Sequence, residues 1–100
     1  MVKFLVEQGA DINKENRDGE TPLFKASSNG IIVIVKYLVE QGADINKENK
    51  YGETPLFKAC YYGNLATTKY LVKQGADINK TNSSGYTPLD YAPMYFDNYM

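Results

Sequence analysis

The chain has 100 residues, 43% of them apolar and 23% charged, which is enough for one folded domain and too little for two. Its net charge is −1 and its 11 basic residues are scattered, which argues against nucleic acid or an acidic membrane as the main partner. It has no histidine and a single cysteine, Cys60, so the commonest general base and zinc ligand is missing, an internal disulfide is ruled out, and no metal or cofactor is expected.

The predicted elements follow a period of 33 residues. Residues 2–15, VKFLVEQGADINKE, read as the second helix and turn of a unit that lacks its first half. Lys3 and Glu7 interrupt the apolar residues there, which argues against a secretion signal. Residues 16–48 make the first whole unit. Thr21 is suited to cap a helix, Pro22 to occupy its first position, and Leu23, Ala26 and Ser27 follow at helical spacing until Gly30 closes it. A second helix is expected over about 32–41, with Ile32, Val35, Leu38 and Val39 on its inner side and Gly42 ending it.

Residues 49–81 repeat the pattern and match the first unit at 21 of 33 positions. Thr68 stands where the first unit has Val35, and a bond from its hydroxyl to a carbonyl one turn back is expected. Residues 82–100 open a further unit. There Pro93 replaces Ser27 and Cys60 and should stop the helix, so that Tyr95, Phe96 and Tyr99 form an irregular aromatic lid. Lysines recur every 11 residues from Lys3 to Lys80, a spacing found in right-handed coiled coils. Gly19, Pro22, Gly30 and Gly42 break that pattern, and the spacing is one third of the repeat. The apolar run 31–35 is far too short for the roughly 20 residues of a membrane span. Within it Ile31 and Val33 should be exposed, either singly tolerated or as a back-side contact.

TPLFKA at 21–26 and 54–59, TPLDYA at 87–92, the glycine eight residues after the proline, and GADIN carry a resemblance to the ankyrin repeat that covers nearly the whole chain through residue 92. It implies an all-α solenoid of stacked helix-turn-helix units with projecting turns, because so small a unit cannot bury its apolar face alone. Family members usually have histidine after T-P-L, linking neighbours by hydrogen bonds. Phe24, Phe57 and Asp90 stand there, so apolar packing is expected instead.

The resemblance also implies protein binding through the concave side and the turn tips. Differences between the two whole units cluster there, and the candidate surface is Arg17, Asp18, Glu20, Ser28 and Asn29, then Lys50, Tyr51, Glu53, Tyr61 and Tyr62, then Ser84, Tyr86, Met94 and Tyr95. Tyrosine is frequent among binding hot spots, although such rings also serve as packing between units, the role expected for Tyr37 and Tyr70. Asp11, Asp44 and Asp77 recur at one register position, which suits turns rather than catalysis. The expected function is a non-catalytic module that binds an unidentified protein in the cytoplasm. Two alternatives stay open, an inhibitory subunit of an enzyme and head-to-tail self-association, in which Met100 and Val2 would fall beside each other in register with Ile34 and Val35.

Overall fold

Of the 100 residues, the computed structural model describes residues 12–91. Four α-helices follow in the order α1 (Pro22–Asn29), α2 (Ile32–Glu40), α3 (Pro55–Tyr61) and α4 (Leu65–Lys73), and a 3-10 helix spans Pro88–Tyr91. The described residues contain no β-strand.

Each first helix starts as its letters predict. Thr21 and Thr54 adopt extended backbone, and their hydroxyls accept the N–H of Phe24 and Phe57 at 3.2 Å. Proline follows where no N–H is needed. At the far end Gly30 turns to φ 68°, which lets the N–H groups of Gly30 and Ile31 close on the carbonyls of Ser27 and Ala26 at 3.2 and 3.1 Å. Gly63 and Asn64 close on Cys60 and Ala59 in the same way, at 3.0 and 2.8 Å. The second helix ends at Glu40, with Gln41 as its cap.

Packing runs both within and between units. Helix α1 packs on α2 and on α3 of the next unit, α3 packs on α4 and on the 3-10 helix, and α2 meets α4. Leu23, Ala26, Val35 and Leu38 interlock with Leu56, Ala59, Cys60 and Leu71 in one core. Fully burying each of the larger side chains contributes about 1.5–3 kcal/mol. Ile32, Val39, Tyr37 and Tyr70 cover the edges of that core, half-buried. Phe24 and Phe57 are buried, and the Phe57 ring meets Tyr91 of the following segment edge to face at 5.1 Å. The histidine position is thus apolar in the first two copies, as expected.

Hydrogen bonds join the units as well. The side-chain oxygens of Asn13 and Asn46 accept the backbone N–H of Asp44 and Asp77, one unit on, both at 2.9 Å. Asp44 and Asp77 themselves accept the N–H of Asn46 and Asn79 at 3.0 and 2.9 Å, the turn role expected of them. Asn64 donates from its amide to the carbonyls of Ser27 and Ser28 at 3.0 and 3.1 Å, bracing the end of α1 in the preceding unit.

Two details depart from the sequence reading. The third T-P-L opens a 3-10 turn rather than an α-helix. Asp90 stands where the other copies have phenylalanine, and its carboxylate accepts both the N–H and the hydroxyl of Thr87 at 2.7 and 3.2 Å, so the cap runs backwards. The Thr68 hydroxyl does not take a carbonyl one turn back but lies 3.9 Å from the Cys60 thiol. The Ser27 hydroxyl, in register with Cys60, is buried with no partner. Ser27→Ala should therefore stabilise the fold by about 1 kcal/mol, since it deletes an unpaired buried polar atom. Thermal unfolding checks this, and a lower melting temperature would mean that the hydroxyl has a use. The expected Pro93 break, the aromatic lid and the Val2–Met100 junction lie outside the described residues.

Candidate partner-binding surface

The turn at the head of each unit is built by one asparagine. Asn16 accepts the N–H groups of Asp18 and Glu20 at 2.9 and 3.0 Å, and its amide donates to the Glu20 carboxylate at 2.9 Å. Asn49 does the same for Tyr51 and Glu53, and Asn82 accepts from Ser84 and Tyr86. Successive turns are then stitched together. The Lys50 N–H reaches the Asp18 carbonyl and the Ser83 N–H the Tyr51 carbonyl, both at 2.9 Å, and the Ser83 hydroxyl adds a bond at 2.8 Å. Sequence reasoning missed these three asparagines, although their recurrence every 33 residues was the signal.

The expected site residues sort into distinct roles on this frame. Glu20 and Glu53 brace their own turns and pair with Lys25 and Lys58, at 3.6 and 3.3 Å. Asp18 and Lys50 pair across the two tips at 3.0 Å, and that carboxylate holds the Lys50 ammonium above the usual lysine range. Arg17, Asn29 and Ser84 are exposed. Ser28 differs from the expectation, because its hydroxyl is sealed from solvent without a partner at the end of α1. Met94 and Tyr95 lie outside the described residues.

The tyrosines form the distinctive feature. Tyr61, Tyr62 and Tyr86 are about half exposed, at 51%, 57% and 49%. Tyr91 ties them together. It lies edge to face with Tyr61 at 5.2 Å and with Tyr86 at 5.7 Å, while Tyr61 meets Tyr62 at 5.0 Å. Rings at these separations attract one another beyond the area they cover, by about 0.5–1.5 kcal/mol per pair. The Lys58 ammonium stands 5.0 and 5.7 Å over the Tyr61 and Tyr62 rings, and Lys50 stands 5.2 Å over Tyr51. Tyr51 belongs to the tip rather than to the ring cluster. The sequence reading did not single out Tyr91, which replaces Lys25 and Lys58 in register.

Burial pushes the Cys60 thiol up to about 11, with the Thr68 hydroxyl pulling slightly the other way, so the thiolate is scarce near neutrality. No group of three or more His, Cys, Asp or Glu side chains among the described residues is arranged to hold a metal ion. No helix among them is long and apolar enough to cross a membrane.

Comparison with known families agrees with this architecture. The family description that matches is "Ankyrin repeats (3 copies)", over residues 1–82 and 41–99. No curated protein matches the chain. With four α-helices in two stacked pairs among the described residues, the first of each pair capped by T-P-L and closed by glycine, the chain belongs to the ankyrin-repeat family.

Proposed function

We propose that this protein is a non-catalytic binding module that engages a partner protein through its first-helix face and turn tips. Ankyrin repeats are in general protein–protein interaction modules, which supports the class. The observation that carries the reading for this chain is the cluster of Tyr61, Tyr62, Tyr86 and Tyr91, rings in mutual contact yet open to solvent. Exposed aromatic groups of this kind supply large contact area at low entropic cost, and their hydroxyls find polar partners. The scaffold contributes preorganisation. The Asn49 and Asn82 turns and the stacked helices hold the rings before the partner arrives, so little order remains to be gained on binding.

A buried, unreactive thiol is compatible with the cytoplasm, where we place the protein. The test is affinity capture from the source cell with the intact chain, in parallel with the Tyr61→Ala/Tyr62→Ala variant. One or more proteins held by the parent should bind the variant about a hundredfold more weakly, as expected when two hot-spot rings are lost. The variant should remain folded but melt about 5–15 °C below the parent, because it gives up the Tyr61–Tyr62 and Tyr61–Tyr91 ring pairs at about 0.5–1.5 kcal/mol each. Undiminished capture by a folded variant would remove the tyrosines from the interface.

A further inference from the structure

The end of α1 joins an asparagine to a glycine. Asn29 is the last residue of that helix and is exposed, and Gly30 follows it as the cap. No other asparagine of the sequence precedes a glycine, and the second whole unit has Tyr62 before Gly63 at the same register. The pairing matters because the side-chain amide carbon of asparagine is an electrophile and the next backbone nitrogen is a nucleophile within reach of it. When the Gly30 nitrogen attacks Cγ of Asn29, a new C–N bond closes a five-membered imide. The side-chain nitrogen departs as ammonia and carries off the proton that Gly30 gives up. Water then adds to one of the two imide carbonyls and opens the ring, to aspartate or to the isomer whose main chain runs through the β-carbon. Only water is consumed, and nothing is oxidised or reduced. Glycine favours the attack because it has no Cβ to obstruct it and its backbone turns freely.

The fold holds this reaction shut. Asn29 is helical, and ring closure requires rotation about its Cα–C bond out of the helical setting. That rotation would break the bond from the Gly30 N–H to the Ser27 carbonyl at 3.2 Å and the bond from the Ile31 N–H to the Ala26 carbonyl at 3.1 Å. The next unit secures the same helix end. Asn64 donates from its amide to the Ser27 and Ser28 carbonyls at 3.0 and 3.1 Å, so Ser27 accepts from both units at once. A Cβ at residue 30 would stand 2.8 Å from the Asn64 side chain, and this approach demands glycine there. One contact between units thus requires the glycine and guards the bond that the glycine makes vulnerable.

We infer that Asn29–Gly30 is a self-modification site, with the chain's own amide as substrate and water as co-reactant, kept closed by the stacking of the following unit. Loss of the Asn64 contact opens it. The product places a carboxylate on the first-helix face at the C-terminal end of α1, where the negative end of the helix dipole disfavours it. Reaction therefore weakens the helix end that suppresses it. Its rate follows the population of molecules in which that end has opened.

The test incubates the full chain at mildly alkaline pH, in native buffer and in urea, and locates by digestion and mass spectrometry each amide that has become an acid. Asn29 should be the first asparagine to react in urea, and in native buffer it should react at least about tenfold more slowly. Asn64→Ala should speed the native reaction at Asn29 about tenfold and leave the rate in urea unchanged. Gly75→Ala is the control for stability alone. Gly75 has φ 94° and no atom of the described residues within 4 Å of the added carbon, so its substitution strains the backbone away from the junction and should leave the native rate nearly unchanged. Gly30→Ala should slow the reaction in urea, because a β-carbon then flanks the attacking nitrogen. Equal rates in native buffer and in urea, a faster reaction at another asparagine in urea, or equal acceleration by Asn64→Ala and Gly75→Ala would each overturn the inference. So would an Asn64→Ala variant, folded by its melting transition, that reacts no faster than the parent.

Discussion

Asn49→Ala should lower the stability of the fold by about 3 kcal/mol, read as a melting temperature lower by about 15 °C. The size follows from where this asparagine sits. It is 5% exposed, between the turn before it and the turn after it. Its side-chain oxygen accepts the N–H of Tyr51 at 2.9 Å and of Glu53 at 3.0 Å, and its amide donates to the Glu53 carboxylate at 3.0 Å. Alanine leaves two backbone donors unmet where water enters poorly, and each such loss costs about 1–3 kcal/mol. Asn16 makes the same set of bonds but is exposed, so Asn16→Ala should cost only about 1 kcal/mol. The ranking is the real test, because both substitutions delete the same chemistry and differ in burial. Equal melting temperatures for the two would show that burial does not set the cost. Asn49→Asp should fall between them. It keeps the acceptor for the two N–H groups but sets a carboxylate against that of Glu53, so its deficit should shrink as acid protonates one of the pair. The same turn carries Tyr51, whose carbonyl anchors Ser83 and with it the turn that carries Tyr86. Loss of Asn49 should therefore weaken partner binding as well as stability.

The helices were legible because their signals are local. Thr21, Pro22 and Gly30 act on backbone groups a few residues away, and their second appearance at Thr54, Pro55 and Gly63 confirmed the period. What lay outside the helix caps was harder to read. Glu20 and Glu53 were taken as surface residues, yet they sit inside the shared string GETPLFKA, and that identity reflected their bonds to Asn16 and Asn49. Ser28 differs between the units and so looked like recognition surface. The packing at the end of α1 hides its hydroxyl instead, a contact no short-range pattern reports. Tyr91 escaped notice for the opposite reason. It lies in a string that reads as scaffold, and its value comes from meeting Phe57, Tyr61 and Tyr86, three positions set by stacking and not by spacing. The third copy was misjudged through one residue. Asp90 can reach back to Thr87, and the α-helical start gives way to a 3-10 turn.

Gly30→Ala is the other substitution with a large expected effect, about 3–4 kcal/mol, and its cost has two separable sources. The backbone there has φ 68°, a conformation that costs a residue with a side chain about 1–2 kcal/mol. The new methyl group would also lie 2.8 Å from two side-chain atoms of Asn64, closer than contact allows. Asn64 must swing away and give up its bonds to the Ser27 and Ser28 carbonyls, each worth about 1 kcal/mol. Gly42→Ala isolates the first source. Its φ is 92° but no atom lies within 4 Å of the added carbon, so its cost should stop at about 1–2 kcal/mol. A double-mutant cycle isolates the second. Asn64→Ala alone forfeits both bonds, and adding Gly30→Ala to it should bring only the backbone cost, so the pair should fall short of additivity by about 2 kcal/mol. Urea unfolding of the four proteins in the cycle measures that shortfall. Strict additivity would mean that Asn64 keeps its bonds when residue 30 gains a methyl group, and the contact between units would then owe nothing to the missing side chain of Gly30.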